Sequence, residues 1–173
     1  MAIKAVYAQE GVTDLSSLEK FERSRKRFER KNRLFAIASL SRFAKLDIGR
    51  EKRKGIPEVI LAEGKLASDV AKIAQAMLRR TGRAIISRSS GYQVKAVRSI
   101  IGKESKVEYF SRSRMVVVRS ASYKLRRSGG RVGILTAGTS DIPVAEEAEV
   151  MAREMGCETR SFYDVGVAGI HRL

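Results

Sequence analysis

Residues 131–173, RVGILTAGTSDIPVAEEAEVMAREMGCETRSFYDVGVAGIHRL, constrain the fold more than any other stretch of the chain. Val132, Gly133, Ile134 and Leu135 form an apolar run without polar alternation, the pattern of a parallel strand covered on both faces, and predict a buried strand. Small and hydroxylated residues follow, Thr136 to Asp141, where a ligand can approach the backbone and find hydrogen-bonding groups. Pro143 suits the first turn of a helix, and Val144, Ala148, Met151, Ala152 and Met155 recur at helical spacing until Gly156, predicting an amphipathic helix with that stripe as its apolar face. Ser161 to Val165 then predict a second parallel strand, with Gly166 to Arg172 at its carboxyl end, the edge at which ligands bind in open α/β sheets.

The first-turn N–H groups of such a helix and its dipole favour an anion at the preceding turn, and phosphate is the natural candidate. Gly138, Thr139, Ser140 and Asp141 are therefore candidates for holding a phosphate or a ribose. The plainer reading is an ordinary strand-to-helix turn capped by Asp141. His171 is the one histidine of the chain, and an ordinary imidazole, with a pKa of about 6.5, suits proton transfer near neutral pH. Arg172 is placed to clamp a phosphate or carboxylate through two parallel hydrogen bonds, unless it is simply exposed. Asp164, at the end of the second strand, is a candidate for a ribose hydroxyl or a divalent cation. Cys157 follows the helix-ending Gly156 and reads as a small buried residue opening a strand, not as a nucleophile.

The run TAGTSD, then proline, an acidic helix, MG and YDVGVAGIHRL, closely resembles the LarB family, which begins synthesis of the nickel-pincer nucleotide cofactor. It is more distantly similar to the PurE carboxylases and mutases of aminoimidazole ribonucleotide, whose G-S-x-S-D and S-A-H-R turns fall at matching places. Upstream, FAKLDIGREKRKGIPEVILAEGK resembles the LarB segment that precedes the catalytic domain, with its R-x-G-x-P-E-V pattern at Arg53, Gly55, Pro57, Glu58 and Val59. The resemblance covers Phe43 to Leu173. It implies carboxylation of the pyridinium ring of nicotinic acid adenine dinucleotide by carbon dioxide or bicarbonate, with cleavage of the phosphoanhydride and release of AMP. It further implies a phosphate at residues 138–141, His171 as a proton donor or acceptor beside the ring, Arg172 against anionic groups, Mg²⁺ as a possible cofactor, and a homo-oligomer, an octamer in related domains. Arg53, Glu58 and Lys65 either reach the site or fix their segment against the catalytic domain. Gly169 and Ile170, where PurE has serine and alanine, argue against aminoimidazole ribonucleotide as substrate.

The remainder of the chain is strongly basic. Formal charge is +16, and because residues 131–173 hold four Lys or Arg against seven Asp or Glu, residues 1–130 carry +19. Such a surplus attracts polyanions, either phosphorylated metabolites or nucleic acid. Ser16 and Glu19 make a capping box for a helix in which Phe21, Phe28 and Phe35 recur every seven residues. Fourteen Lys or Arg against four acidic residues between Lys20 and Lys54 either form a solvated face or lie along a nucleic-acid backbone. Leu34 to Leu46 is denser in apolar residues and is expected to pack, and Lys45 to Lys54 reads as a polar connection broken by Gly55 and Pro57.

Farther along, strands are predicted at Glu58 to Ala62, Arg83 to Ser87, Lys106 to Phe110 and Arg114 to Arg119. Helices are predicted around Val70 to Leu78, ending at Gly82, and at Gln93 to Ile101, and the last two strands are candidates for a hairpin. The chain thus divides into a basic helical segment (1–54), a small α/β domain (55–130) and the first β-α-β part of a PurE-like, flavodoxin-type three-layer sandwich (131–173). PurE-like domains continue through further strand-helix units, and the cysteine used by LarB-type enzymes lies in that continuation. Residues 131–173 are accordingly expected to be an incomplete catalytic domain that leans on the first domain or on other copies, or stays partly mobile. One cysteine allows no internal disulfide, residues 1–20 lack a signal-like apolar core, and no run approaches a membrane span, so a cytoplasmic protein is expected.

Overall fold

A computed structural model of the chain describes residues 16, 19, 20, 22–24, 37–40 and 44–167. Ser16, Glu19, Lys20, Glu22, Arg23 and Ser24 are helical and exposed, as the capping box predicts. Phe21, Phe28, Phe35, the SRKRFERKNR block beyond Ser24, and Ala168 to Leu173 with His171 and Arg172 lie outside the described residues.

The stretch expected merely to pack forms a hairpin. Strand β1 (Ile37–Leu40) pairs antiparallel with β2 (Ala44–Asp47), and a single-turn helix α1 (Arg50–Lys54) follows where a connection was expected. The segment expected to be a basic helical one, residues 1–54, therefore contains a sheet element. Leu46 is buried, with Leu40, Ala44 and Ile48 against the same core, so apolar contact with the neighbouring domain decides the conformation of a sequence with little propensity of its own.

Next come β3 (Val59–Leu61), α2 (Ala67–Thr81), β4 (Arg83–Ser87), α3 (Gly91–Ile100), β5 (Lys106–Phe110) and β6 (Met115–Arg119). They build a four-stranded sheet in the order β3-β4-β6-β5, with β3 parallel to β4 and the other pairs antiparallel. The central strands β4 and β6 are buried almost end to end, as apolar runs covered on both faces must be. Ala84, Ile86, Val116 and Val118 face Val70, Ile73, Ala74 and Met77 of α2 and Val94 and Val97 of α3. Gly82 ends α2 in the left-handed region at φ 76°. Ser90 caps α3, its hydroxyl accepting from the Gln93 N–H while the Gln93 carboxamide accepts from the Ser90 N–H. The same carboxamide donates to the carbonyls of Ala62 and Lys65 at 2.8 Å each, so a buried glutamine is fully occupied and ties α3 to the loop after β3.

The alternate residues Ile85, Met115 and Val117 point to the opposite face, and what covers them comes from the end of the chain. Strand β7 (Arg131–Leu135), helix α4 (Ile142–Glu154) and strand β8 (Glu158–Phe162) form a β-α-β unit with β7 and β8 parallel, and Val150 and Met151 of α4 pack on that second face. The molecule is thus mixed α/β, with helices on both sides of the four-stranded sheet. Among the described residues no helix is long and apolar enough to cross a membrane.

Three expectations fail here, the first being the bounds of the second parallel strand, which runs Glu158–Phe162 and not Ser161 to Val165. Strand β7 is not buried: Arg131, Gly133 and Leu135 are exposed, Leu135 to 54%, as are Glu158, Arg160 and Phe162 in register beside them. A two-stranded sheet with one helix against it has a covered face and a bare one. The predicted apolar stripe of α4 is not the buried one either. Val144 is 69% exposed and Ala148 and Met155 are exposed, while Ala145, Glu149, Val150 and Glu154 are buried.

Candidate functional site

β7 and β8 run side by side from Arg131 beside Glu158 to Leu135 beside Phe162, and the ladder continues past both strands. Thr136 N–H donates to the Phe162 carbonyl at 3.0 Å, Val165 N–H to the Thr136 carbonyl at 2.9 Å and Gly166 N–H to the Ala137 carbonyl at 2.9 Å. The small-residue turn and the loop holding Asp164 are therefore brought together at the carboxyl edge of the parallel pair. Thr136, buried between them, accepts from the Asp164 N–H through its hydroxyl at 3.1 Å, and Asp164 sits at φ 56°, a backbone region aspartate tolerates better than most residues.

Thr139 to Asp141 form one 3₁₀ turn that feeds directly into α4, with Pro143 in its first turn. Asp141 turns back rather than capping the helix: its carboxylate accepts from the Gly138 N–H at 3.2 Å and the Ser140 hydroxyl at 3.3 Å. That bond fixes the turn, while at the start of the helix the Ile142 N–H donates to the Thr139 carbonyl and Pro143 has no N–H to offer. Gly138 has an extended backbone (φ −130°), and a Cβ built on it would meet nothing nearer than the Ser140 hydroxyl at 3.8 Å. The space in front of it is open.

Beneath this edge lies a residue the sequence reading left among the polar positions of α4. The Glu149 carboxylate accepts from the Tyr163 hydroxyl at 3.0 Å and the Thr159 hydroxyl at 3.4 Å, and pairs with Arg153, which also donates to the Thr159 hydroxyl at 3.1 Å. Burial pushes its carboxyl up, but the hydroxyls of Ser161, Tyr163 and Thr159 and the Arg153 guanidinium outweigh burial and hold it below the usual range. The folded protein thus binds this proton less readily than the unfolded chain. The stabilisation is complete above the ordinary glutamate value of 4.5 and is lost as pH falls through the lowered folded value. Glu149→Gln is expected to flatten the fall of melting temperature with pH below about pH 4.5, and equal slopes in both proteins would contradict this.

Arg53, Glu58 and Lys65 join a different constellation. Arg53 forks onto the Asp47 carboxylate, Glu58 meets Arg50 at 3.5 Å, and Lys65 donates to the Leu61 carbonyl at 2.7 Å. These bonds tie the hairpin, α1 and β3 to one another, all within residues 47–65 and none to residues 131–167. Cys157 is half-buried rather than buried, precedes β8, and lies 3.4 Å from the Ser128 hydroxyl, at the opposite end of the strands from the turn. The small residues ahead of Pro143 do mark the position of the 138–141 turn. The sequence marks Thr136 only as one hydroxyl of the small-residue run, and nothing in the local pattern marks Glu149 or Tyr163, which meet across α4 and the loop after β8.

Compared with known proteins, residues 37–120 match the family described as LarB/PurE-like N-terminal domain. The chain is also 37% identical over 131 residues to an uncharacterized protein of Methanocaldococcus jannaschii, a match covering 75% of this chain and 51% of the relative. It thus spans about half the length of that curated relative.

Proposed function

Because the chain belongs, through its N-terminal domain, to the LarB/PurE-like family, a family related to carboxylases, we propose that residues 131–173 contribute the phosphate-reading edge of a carboxylase acting on nicotinic acid adenine dinucleotide. One juxtaposition carries the reading: the 138–141 turn and the Asp164 loop share a sheet edge, with open space before Gly138. The backbone N–H groups of Thr139 and Ser140, with the α4 dipole behind them, bind a phosphate there, and Thr139 adds a hydroxyl donor. Asp164 holds a ribose hydroxyl. His171 takes or gives the ring proton that carbon dioxide or bicarbonate replaces, Arg172 holds the new carboxylate or a phosphate, and water splits the phosphoanhydride to release AMP. Magnesium, which the resemblance implies, fits phosphate oxygens together with Asp141 or Asp164, since this ion commonly takes only one or two carboxylates. It would neutralise phosphate charge. Among the described residues no group of three His, Cys, Asp or Glu side chains gathers to hold a metal, and no step here is routed through one.

Gly138→Ala tests this reading, because the added methyl has room in the free protein and would fill the space in front of the turn. Melting temperature is expected to stay within about 2 °C while affinity for nicotinic acid adenine dinucleotide, measured by calorimetry, falls at least about tenfold. With labelled bicarbonate, mass spectrometry is expected to show AMP and a labelled nucleotide. Equal binding by the variant, or none by the wild type, returns the turn to an ordinary strand-to-helix connection. Turnover of aminoimidazole ribonucleotide instead would move the substrate to the purine class.

A further inference from the structure

Helix α4 has two jobs, and its far end is held in an unusual way. Glu154, 1% exposed, pairs with Arg119 and at 3.0 Å with Arg83, itself 3% exposed. Arg83 also donates to the Glu154 carbonyl, where the helix dipole favours a cation. The guanidiniums are themselves fixed: Arg83 by Glu51 at 2.9 Å and by stacking over Tyr123 at 5.1 Å, Arg119 by Glu108. Two turns nearer the site, Glu146 accepts from the Ser113 N–H at 2.6 Å, and Val150 between them is buried on Ile85, Met115 and Val117. Glu146, Val150 and Glu154, four residues apart, form one stripe on the four-stranded sheet, while Glu149 on another side holds β8. The helix that opens at the candidate turn is thereby registered on the N-terminal domain.

We infer that Arg83 and Arg119 are positioning residues: by fixing the C-terminal end of α4 through Glu154 they set the orientation of the 138–141 turn at its other end. The inference rests on the proposed phosphate reading for its functional meaning, but its geometry does not. With a rise of about 1.5 Å per residue, a tilt of about 5° about Val150 displaces the turn by about 1.3 Å. A misplacement of that size costs orders of magnitude in rate at a reacting centre.

Hydrogen exchange on the full chain, read by mass spectrometry, tests it without substrate. Glu154→Gln removes the charge at nearly constant shape, and amides of residues 138–142 are expected to exchange at least about tenfold faster while those of α2 stay unchanged. Arg119→Lys, which keeps charge but loses the fork, is expected to give the same pattern at smaller amplitude and serves if the first variant does not fold. Val70→Ala, a cavity on the other face of the sheet, lowers melting temperature but leaves 138–142 unchanged. Faster exchange confined to residues 150–158, or equal acceleration in Val70→Ala, would overturn the inference. Failure of the wild type to bind nicotinic acid adenine dinucleotide would remove the functional reading alone and leave the exchange result to decide the positioning.

Discussion

A chain ending at Ser120, the limit of the matched N-terminal domain, is expected to lose cooperative folding. The four-stranded sheet has α2 and α3 on one face only, and the second face is closed by Val150 and Met151 of α4. Removing α4 bares Ile85, Met115 and Val117, each 1% exposed or less in the intact chain. Fully burying a side chain of this size is worth about 1.5–3 kcal/mol, so three amount to roughly 4.5–9 kcal/mol, against a typical whole-domain stability of about 5–15 kcal/mol. Arg83 and Arg119 lose Glu154 as well, and a buried and a partly buried guanidinium without that counter-charge add to the cost. Urea unfolding followed by circular dichroism is the measurement. The shortened chain is expected to show a broad, shallow transition and to associate through its bare face, and a cooperative transition at the midpoint of the full chain would show that α4 is dispensable.

The same helix marks where sequence reading succeeds and where it stops. Helix α2 was legible because all its buried positions, Val70, Ala71, Ile73, Ala74 and Met77, are apolar and lie on one stripe. Strands β4 and β6 were legible because burial on both faces leaves a continuous apolar run. In α4 the apolar positions Val144, Ala148 and Met155 face outward, and two glutamates face in. The more deeply buried of the two, Glu154, is satisfied by Arg83, which lies 71 residues upstream, and by Arg119, 35 upstream. Periodicity cannot report a buried charge whose partner is that distant. Of the alternatives for the last segment, contact with the first domain is the one that α4 makes, although by a different stripe of the helix from the one the spacing suggests. At the candidate site, the glycine and proline punctuation of a strand-turn-helix unit gave the turn and Asp164 at once. The hydroxyl of Thr136 and the carboxylate of Glu149, which hold that edge in shape, are visible only when β7 and β8 lie side by side.

Gly156→Ala is expected to be among the most destabilising single substitutions in the chain. Gly156 ends α4 at φ 81°, with its N–H donating to the Arg153 carbonyl and the next N–H, of Cys157, reaching back to the Ala152 carbonyl, the two bonds of a Schellman end. An L side chain in that region costs about 1–2 kcal/mol by itself. Here a Cβ would also lie 2.1 Å from the Arg126 carbonyl oxygen and 2.9 Å from the Ser128 nitrogen. Both are backbone atoms of the segment joining the two units, so neither rotates aside as a flexible side chain would. Relief requires that segment to move, which breaks the bond from Ser128 N–H to the Gly156 carbonyl and loosens the start of β7. Adding the strain to about 1 kcal/mol for the lost hydrogen bond and a comparable amount for repacking gives about 3–4 kcal/mol. At roughly 2–4 °C per kcal/mol for a chain of this size, melting is expected about 6–16 °C lower by calorimetry. Gly138→Ala provides the contrast within the same unit: the same methyl, placed where nothing is near and φ is ordinary, is expected to leave melting unchanged. If the two variants melt together, the close approach of the joining segment to Gly156 is not maintained in solution, and the end of α4 is held by its ion pairs alone.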